Sequence, residues 1–198
     1  NDVEALLRAL LEPACRVGPT MHVTYADAFE SALGVNPLEA ATADIEAAAR
    51  RAGLDIPPGI ASDRDSLLDL AMATLVTAGF QDDRITFLRD FPASQAALAR
   101  VDGPVAARFE AFWGGLELAN GFHELDDARE QALRFESDAA ARRARGQPAR
   151  TMDQSFLAAL AAGLPPCAGV ALGFDRVVMI ATGARHIDDV VAFPIERA

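Results

Sequence analysis

Along the first 80 residues the apolar positions recur three and four apart, beginning with Val3, Leu6, Leu7, Leu10 and Leu11, which is the stripe of an amphipathic helix. The pattern predicts a helix from Asp2 to Cys15, with breaks at Pro13, Gly18-Pro19, Gly34 and Pro57-Pro58-Gly59. Thr24 is placed to cap a helix running through Leu33. Asn36-Pro37 offers a cap followed by a first-turn proline, and Ser62 precedes an acidic first turn before Leu67 to Val76. The texture then changes. Ile85-Thr86-Phe87-Leu88 is short, β-branched and aromatic and stops at Phe91-Pro92, so it predicts a strand. Arg108 to Phe122 alternates around Gly114-Gly115 and predicts an antiparallel hairpin turning at the glycines. A polar helix is expected from Leu125-Asp126-Asp127 to about Arg145 and a shorter one from Asp153 to Ala162. After these comes a strand over Gly169–Gly173, feeding a helix that starts near Asp175. The chain thus reads as α+β, with residues 1–80 a mainly helical insertion and residues 81–198 carrying the sheet.

The composition, 51% hydrophobic and 24% charged, is that of a folded domain. Charge narrows its partners. Eighteen basic residues against 29 acidic ones leave a net −11, which repels phosphate backbones, so tRNA is not an expected partner. Every basic residue is arginine. The absence of lysine removes a Schiff-base or P-loop lysine from consideration. Two cysteines, Cys15 and Cys167, and three scattered histidines support neither a disulfide framework nor a zinc site. The apolar runs, such as Val177 to Thr182, are far short of the ~20 residues that span a bilayer. A reducing cytoplasm is the expected setting.

Two constellations can carry chemistry. In Glu117-Leu118-Ala119-Asn120-Gly121-Phe122-His123-Glu124, the two carboxylates are an odd seven apart, so a regular strand would send them to opposite faces. They share a site only if the strand kinks, and Gly121 is the expected place. Carboxylates there suit magnesium on a nucleotide or the ammonium of an amino acid; an exposed acidic strand edge is the competing reading. In Gly169-Val170-Ala171-Leu172-Gly173-Phe174-Asp175-Arg176, small residues permit close backbone approach to a flat ligand, and Arg176 can grip phosphate or stack on a purine. Tight strand–helix packing with Asp175 as a cap is the alternative. His123 is a lesser candidate for a base. Arg142, Arg143, Arg145 and Arg150 form a local basic cluster that reads first as a solvated helix end.

Taken together and in this order, Gly115–Leu125 and Gly169–Arg176 resemble the late active-site strand and motif 3 of class II lysyl-type aminoacyl-tRNA synthetases. Within that class the wording is similar to the branch that joins (R)-beta-lysine to a lysine of elongation factor P; the likeness is strongest from Phe91-Pro92-Ala93-Ser94-Gln95 onward and weaker back to Asn1. The resemblance implies an antiparallel sheet flanked by helices, and activation of an amino acid by ATP, with Mg2+, through an adenylate. It also implies residue roles: Glu117 on ATP and its magnesium, Leu118 as adjacent ATP-contacting backbone, Asn120 and Glu124 on the amino-acid side with Glu124 at its ammonium, Gly173 against the nucleotide, and Arg176 at the adenine and γ-phosphate. Ala171, where synthetases usually have glycine, and His123, where they usually have a small polar residue, favour the beta-lysine branch; one methyl group biases substrate choice by only about 1–3 kcal/mol. Motifs 1 and 2 of the family, which supply a homodimer interface and the α-phosphate arginine, have no counterpart in these residues. The chain is therefore expected to be the carboxy-terminal part of a catalytic domain and to be inactive alone. A lysyl-tRNA synthetase fragment and a non-catalytic synthetase-like binding module are the other readings.

Overall fold

The computed structural model describes residues 2–148 and 150–195. A six-stranded sheet runs in the order β1 (Met21–Thr24), β2 (Ile85–Pro92), β4 (Val105–Trp113), β5 (Leu116–His123), β6 (Ala168–Leu172), with the two-residue β3 (Val101–Asp102) pairing β4. All pairs are antiparallel except β1 with β2, which is parallel. The architecture is α+β, as the pattern predicts. β1 lies inside the stretch read as mainly helical, where no strand was expected: only four residues long and half exposed, it takes its order from β2 rather than from its own sequence.

The two faces of the sheet are covered by different helices. On one face α2 (Tyr25–Leu33), α3 (Thr42–Arg51) and α4 (Arg64–Ala71) bury Tyr25, Phe29, Ile45, Leu67 and Leu68 against Leu88, Phe91, Ala106 and Phe112. On the other, α1 (Asp2–Leu11) and α7 (Phe174–Thr182) set Leu7, Leu11 and Val177 against Ile85, Phe87, Ala111, Leu118 and Ala119. α5 (Ala128–Ala144) and α6 (Gln154–Ala161) pack on each other through Phe135 and Phe156.

The caps and ends follow local chemistry, with three shifts from expectation. Thr24 caps α2 by accepting from the Asp27 N–H, and Gly34 closes that helix at φ 70°. Asn36 does not open a helix; its Oδ1 accepts from the Leu38 N–H in a tight turn, and α3 starts at Thr42. Asp63 rather than Ser62 caps α4, accepting from the Ser66 N–H. Leu67 and Leu68, in the turn that follows, lie in the core. α1 likewise ends at Leu11, two residues before Pro13. α4 continues into a π-turn, Met72–Val76, whose widened backbone lines the cavity described next.

Candidate functional site

The β4–β5 hairpin turns at Gly114-Gly115, with Gly114 at φ 54°. Pairing runs Trp113 with Leu116 and Phe112 with Glu117, then skips a residue to Ala111 with Ala119 and Glu110 with Asn120. Leu118 is thus the extra residue of a β-bulge. The kink needed to bring Glu117 and Glu124 together falls there and not at Gly121. With the bulge between them, Glu117 on one side and Asn120, Phe122 and Glu124 on the other follow the same face as Arg108, Glu110 and Phe112. Gly121 points the other way, beneath the Phe109 ring.

A cleft of about 330 Å3 opens on this face between α4 with its π-turn and the hairpin, lined among others by Tyr25, Asp69, Arg108, Glu110, Glu117 and Arg176. Arg176 reaches it from the first turn of α7, donating to the Glu117 carbonyl at 2.7 Å and standing 3.6 Å from the Glu117 carboxylate. The glycine before α7 permits this: a Cβ on Gly173 would lie 3.3 Å from the Arg176 Cδ, and the Gly173 N–H donates to the Leu118 carbonyl at 2.8 Å. Leu118 itself buries its side chain on the α1/α7 side, so only its backbone faces the site region.

Glu110 is the acid that sequence reading missed. Only 12% of its side chain is exposed, and its Oε1 accepts from Arg108 at 2.6 Å and from the Asn120 amide at 3.4 Å. Burial pushes its carboxyl above the ordinary glutamate value; Arg108 opposes this, and the charge of Glu117 adds to it. Counting back through the glycine turn places Glu110 across from Asn120, so hairpin arithmetic with the bulge included would have found it. Tyr25, 1% exposed, leaves its phenol oxygen without a protein partner at the cleft, and the Asn120 Oδ1 is likewise unpartnered. Burial holds the Tyr25 hydroxyl protonated far above its usual range.

The amino-acid-side candidates lie further along the same face, outside the cleft lining. Ala171 pairs with Asn120 across β5 and β6 and is exposed. Glu124 follows β5, and a Cβ on Gly169 would overlap its carboxylate, so glycine there is what gives Glu124 its room. His123 is turned to the opposite face, lining a separate hollow with His22, Phe87 and Phe109. Nor does the arginine cluster reach the site: Arg145 pairs with Asp63 and Arg142 donates to the Pro148 carbonyl.

Two hard carboxylates, Glu110 and Glu117, on a wall shared with Arg176 suit a magnesium ion that keeps most of its shell from phosphate and water. No group of three or more histidines, cysteines or acids able to hold a metal occurs among the described residues. Both cysteines are free, and no helix among the described residues is long and apolar enough to cross a membrane.

The family model for class II tRNA synthetases (D, K and N) matches residues 3–197. The chain is similar to the elongation factor P--(R)-beta-lysine ligase of Klebsiella pneumoniae (strain 342), at 47% identity over 201 residues covering all of this chain and 61% of that protein. It is 46% identical, with the same coverage, to the ligase of that name from Salmonella dublin. It thus spans about three fifths of the length of these relatives. With the acids of β4 and β5 and the arginine of α7 set around one cleft, and a family match across nearly its whole length, this chain belongs to the class II tRNA synthetase family of the D, K and N type.

Proposed function

We propose that these residues form the carboxy-terminal part of a ligase that activates a lysine-like amino acid, (R)-beta-lysine, with ATP and passes it to a lysine of elongation factor P. The observation that carries this reading is Arg176 held against both the carbonyl and the carboxylate of Glu117 on one cleft wall, an arginine and an acid poised for a nucleotide triphosphate and its cation. The names of the relatives support the choice of amino acid and acceptor. The reaction needs no enzyme nucleophile: a carboxylate oxygen of the amino acid attacks the α-phosphorus, the bond to the β-phosphate breaks and pyrophosphate leaves. The acceptor amine then attacks the acyl carbon, expels AMP and loses a proton. What the protein supplies is position and charge.

Arg176 grips the adenine and γ-phosphate, Gly173 lies against the nucleotide, and the backbone at Leu118 adjoins it. Glu117 and Glu110 would hold magnesium, which neutralises phosphate charge when bound. Asn120 and Glu124 receive the amino acid, Glu124 at an ammonium, and Ala171 trims the pocket by a methyl. The setting is a reducing cytoplasm, the complete protein acts as a homodimer, and tRNA is not the acceptor. The α-phosphate arginine belongs to a family motif with no counterpart in residues 1–198, so these residues alone bind nucleotide without forming adenylate.

Calorimetric titration of the chain with magnesium-ATP, with and without (R)-beta-lysine, tests the reading. Glu117→Ala and Arg176→Ala are each expected to weaken nucleotide binding at least about tenfold, the loss of one charged contact. Equal affinity in the wild type and both variants would overturn the assignment of the nucleotide to this cleft.

A further inference from the structure

Glu110 and Asn120 are tied to a polar chain whose other members, Asp69, Gln95 and Arg108, have no part in the proposed chemistry. Asp69 on α4 accepts from the Gln95 side chain at 2.9 Å; the Gln95 carbonyl accepts from Arg108 Nη1 at 2.8 Å; Arg108 Nη2 donates to Glu110 Oε1 at 2.6 Å; and the Asn120 amide closes on that same oxygen at 3.4 Å. Arg108 is the centre of this chain and is held on a further side, its guanidinium lying 4.5 Å from the centroid of the Phe91 ring. Only 18% of its side chain is exposed. A guanidinium fixed at both ends of its fork and on its face has one orientation, and it imposes one on the carboxylate it grips.

We propose that Arg108 is a positioning residue: by bridging the Gln95 carbonyl and Glu110, it fixes the Glu110 carboxylate on the cleft wall beside Glu117 and, through that carboxylate, the Asn120 amide. Metal-binding acids depend on such outer partners, whose removal typically costs about 10- to 100-fold in metal affinity or activity. The inference rests on reading the cleft as a nucleotide and magnesium site, but the geometry it asserts is a property of the protein alone. Lysine at this position keeps the charge and loses the fork, so Arg108→Lys separates geometry from electrostatics.

The test uses the natural full-length protein with Arg108→Met and Arg108→Lys, read two ways. Crystal structures without ligands are expected to show Glu110 turned from Asn120 in Arg108→Met and in Arg108→Lys. Pyrophosphate exchange is expected to need about tenfold more magnesium for half-saturation in both, with kcat changed less than about threefold. Glu110 staying in place in both variants overturns the proposal whatever the activity, and so does an unchanged magnesium requirement. Should the wild type show no exchange, the functional reading fails, and the crystal structures still decide the role of Arg108. If Arg108→Met does not fold, Arg108→Lys carries both measurements.

Discussion

Gly121→Ala is expected to cost at least about 3 kcal/mol of folding stability, at the top of the range for overpacking a filled interior. A Cβ at this position would stand 2.7 Å from two carbons of the Phe109 ring and 2.8 Å from the Gly169 carbonyl oxygen on β6. The ring can yield, but the oxygen belongs to the strand ladder and moves only if β5 and β6 part. Denaturant unfolding of wild type, Gly121→Ala, Phe109→Leu and the double variant checks this. The double variant should recover part of the loss and not all of it, leaving a coupling of ~1 kcal/mol or more. A single-variant cost below about 0.5 kcal/mol would mean that the two strands separate freely here.

Glu110→Gln is expected to raise stability and lower activity together. Burial and the charge of Glu117 lift the carboxyl's folded-state pKa above its unfolded value despite Arg108. Between those two values the folded protein binds more protons than the unfolded one, so the stability present below the unfolded value is lost as pH rises through the folded value. Glutamine never ionises, so it escapes that loss. Thermal midpoints should favour the variant at pH 8, and the gap should close as pH falls through the carboxylate range. Pyrophosphate exchange by the full-length protein should meanwhile fall about 100-fold, the scale for removing one preorganised charge. A lower midpoint at pH 8, or undiminished exchange, would show that Glu110 serves as a structural partner of Arg108 instead. Such a trade is expected of a group kept charged for function.

How far these features could be read beforehand depended on whether their causes were local. The hairpin was legible because Gly114-Gly115 stands between two runs of strand-forming residues, and α2 because Thr24 and Gly34 bracket it. Arg176 and Glu117 were singled out from motif wording, and in the fold both line one cleft. β1 was not legible, since four half-exposed residues beside Gly18-Pro19 carry no periodicity and become a strand only through β2. The cap at Asp63 was ambiguous for a similar reason: Ser62 and Asp63 are both good caps, and burial of Leu67 and Leu68 selects between them. Glu110 was passed over because it lies outside both motif stretches, and nothing local marks it as buried; the packing of α4 and its π-turn over that face makes it a buried wall.

The bulge at Leu118 makes β5 a strand read in two frames. Before it, even and odd positions mean one assignment to the faces, and after it the opposite, so a single residue sets which side of the sheet every later side chain serves. That arrangement lets one short strand place Leu118 in the core and acids of odd spacing on a common wall, a division that a regular strand cannot make. It also makes the hairpin indivisible as a building block. Forced into a regular ladder elsewhere, with Leu118 opposite Ala111, it would keep its composition and its turn while sending Asn120 and Glu124 to the face opposite Glu117, and so its chemistry resides in a count of residues as much as in their kind.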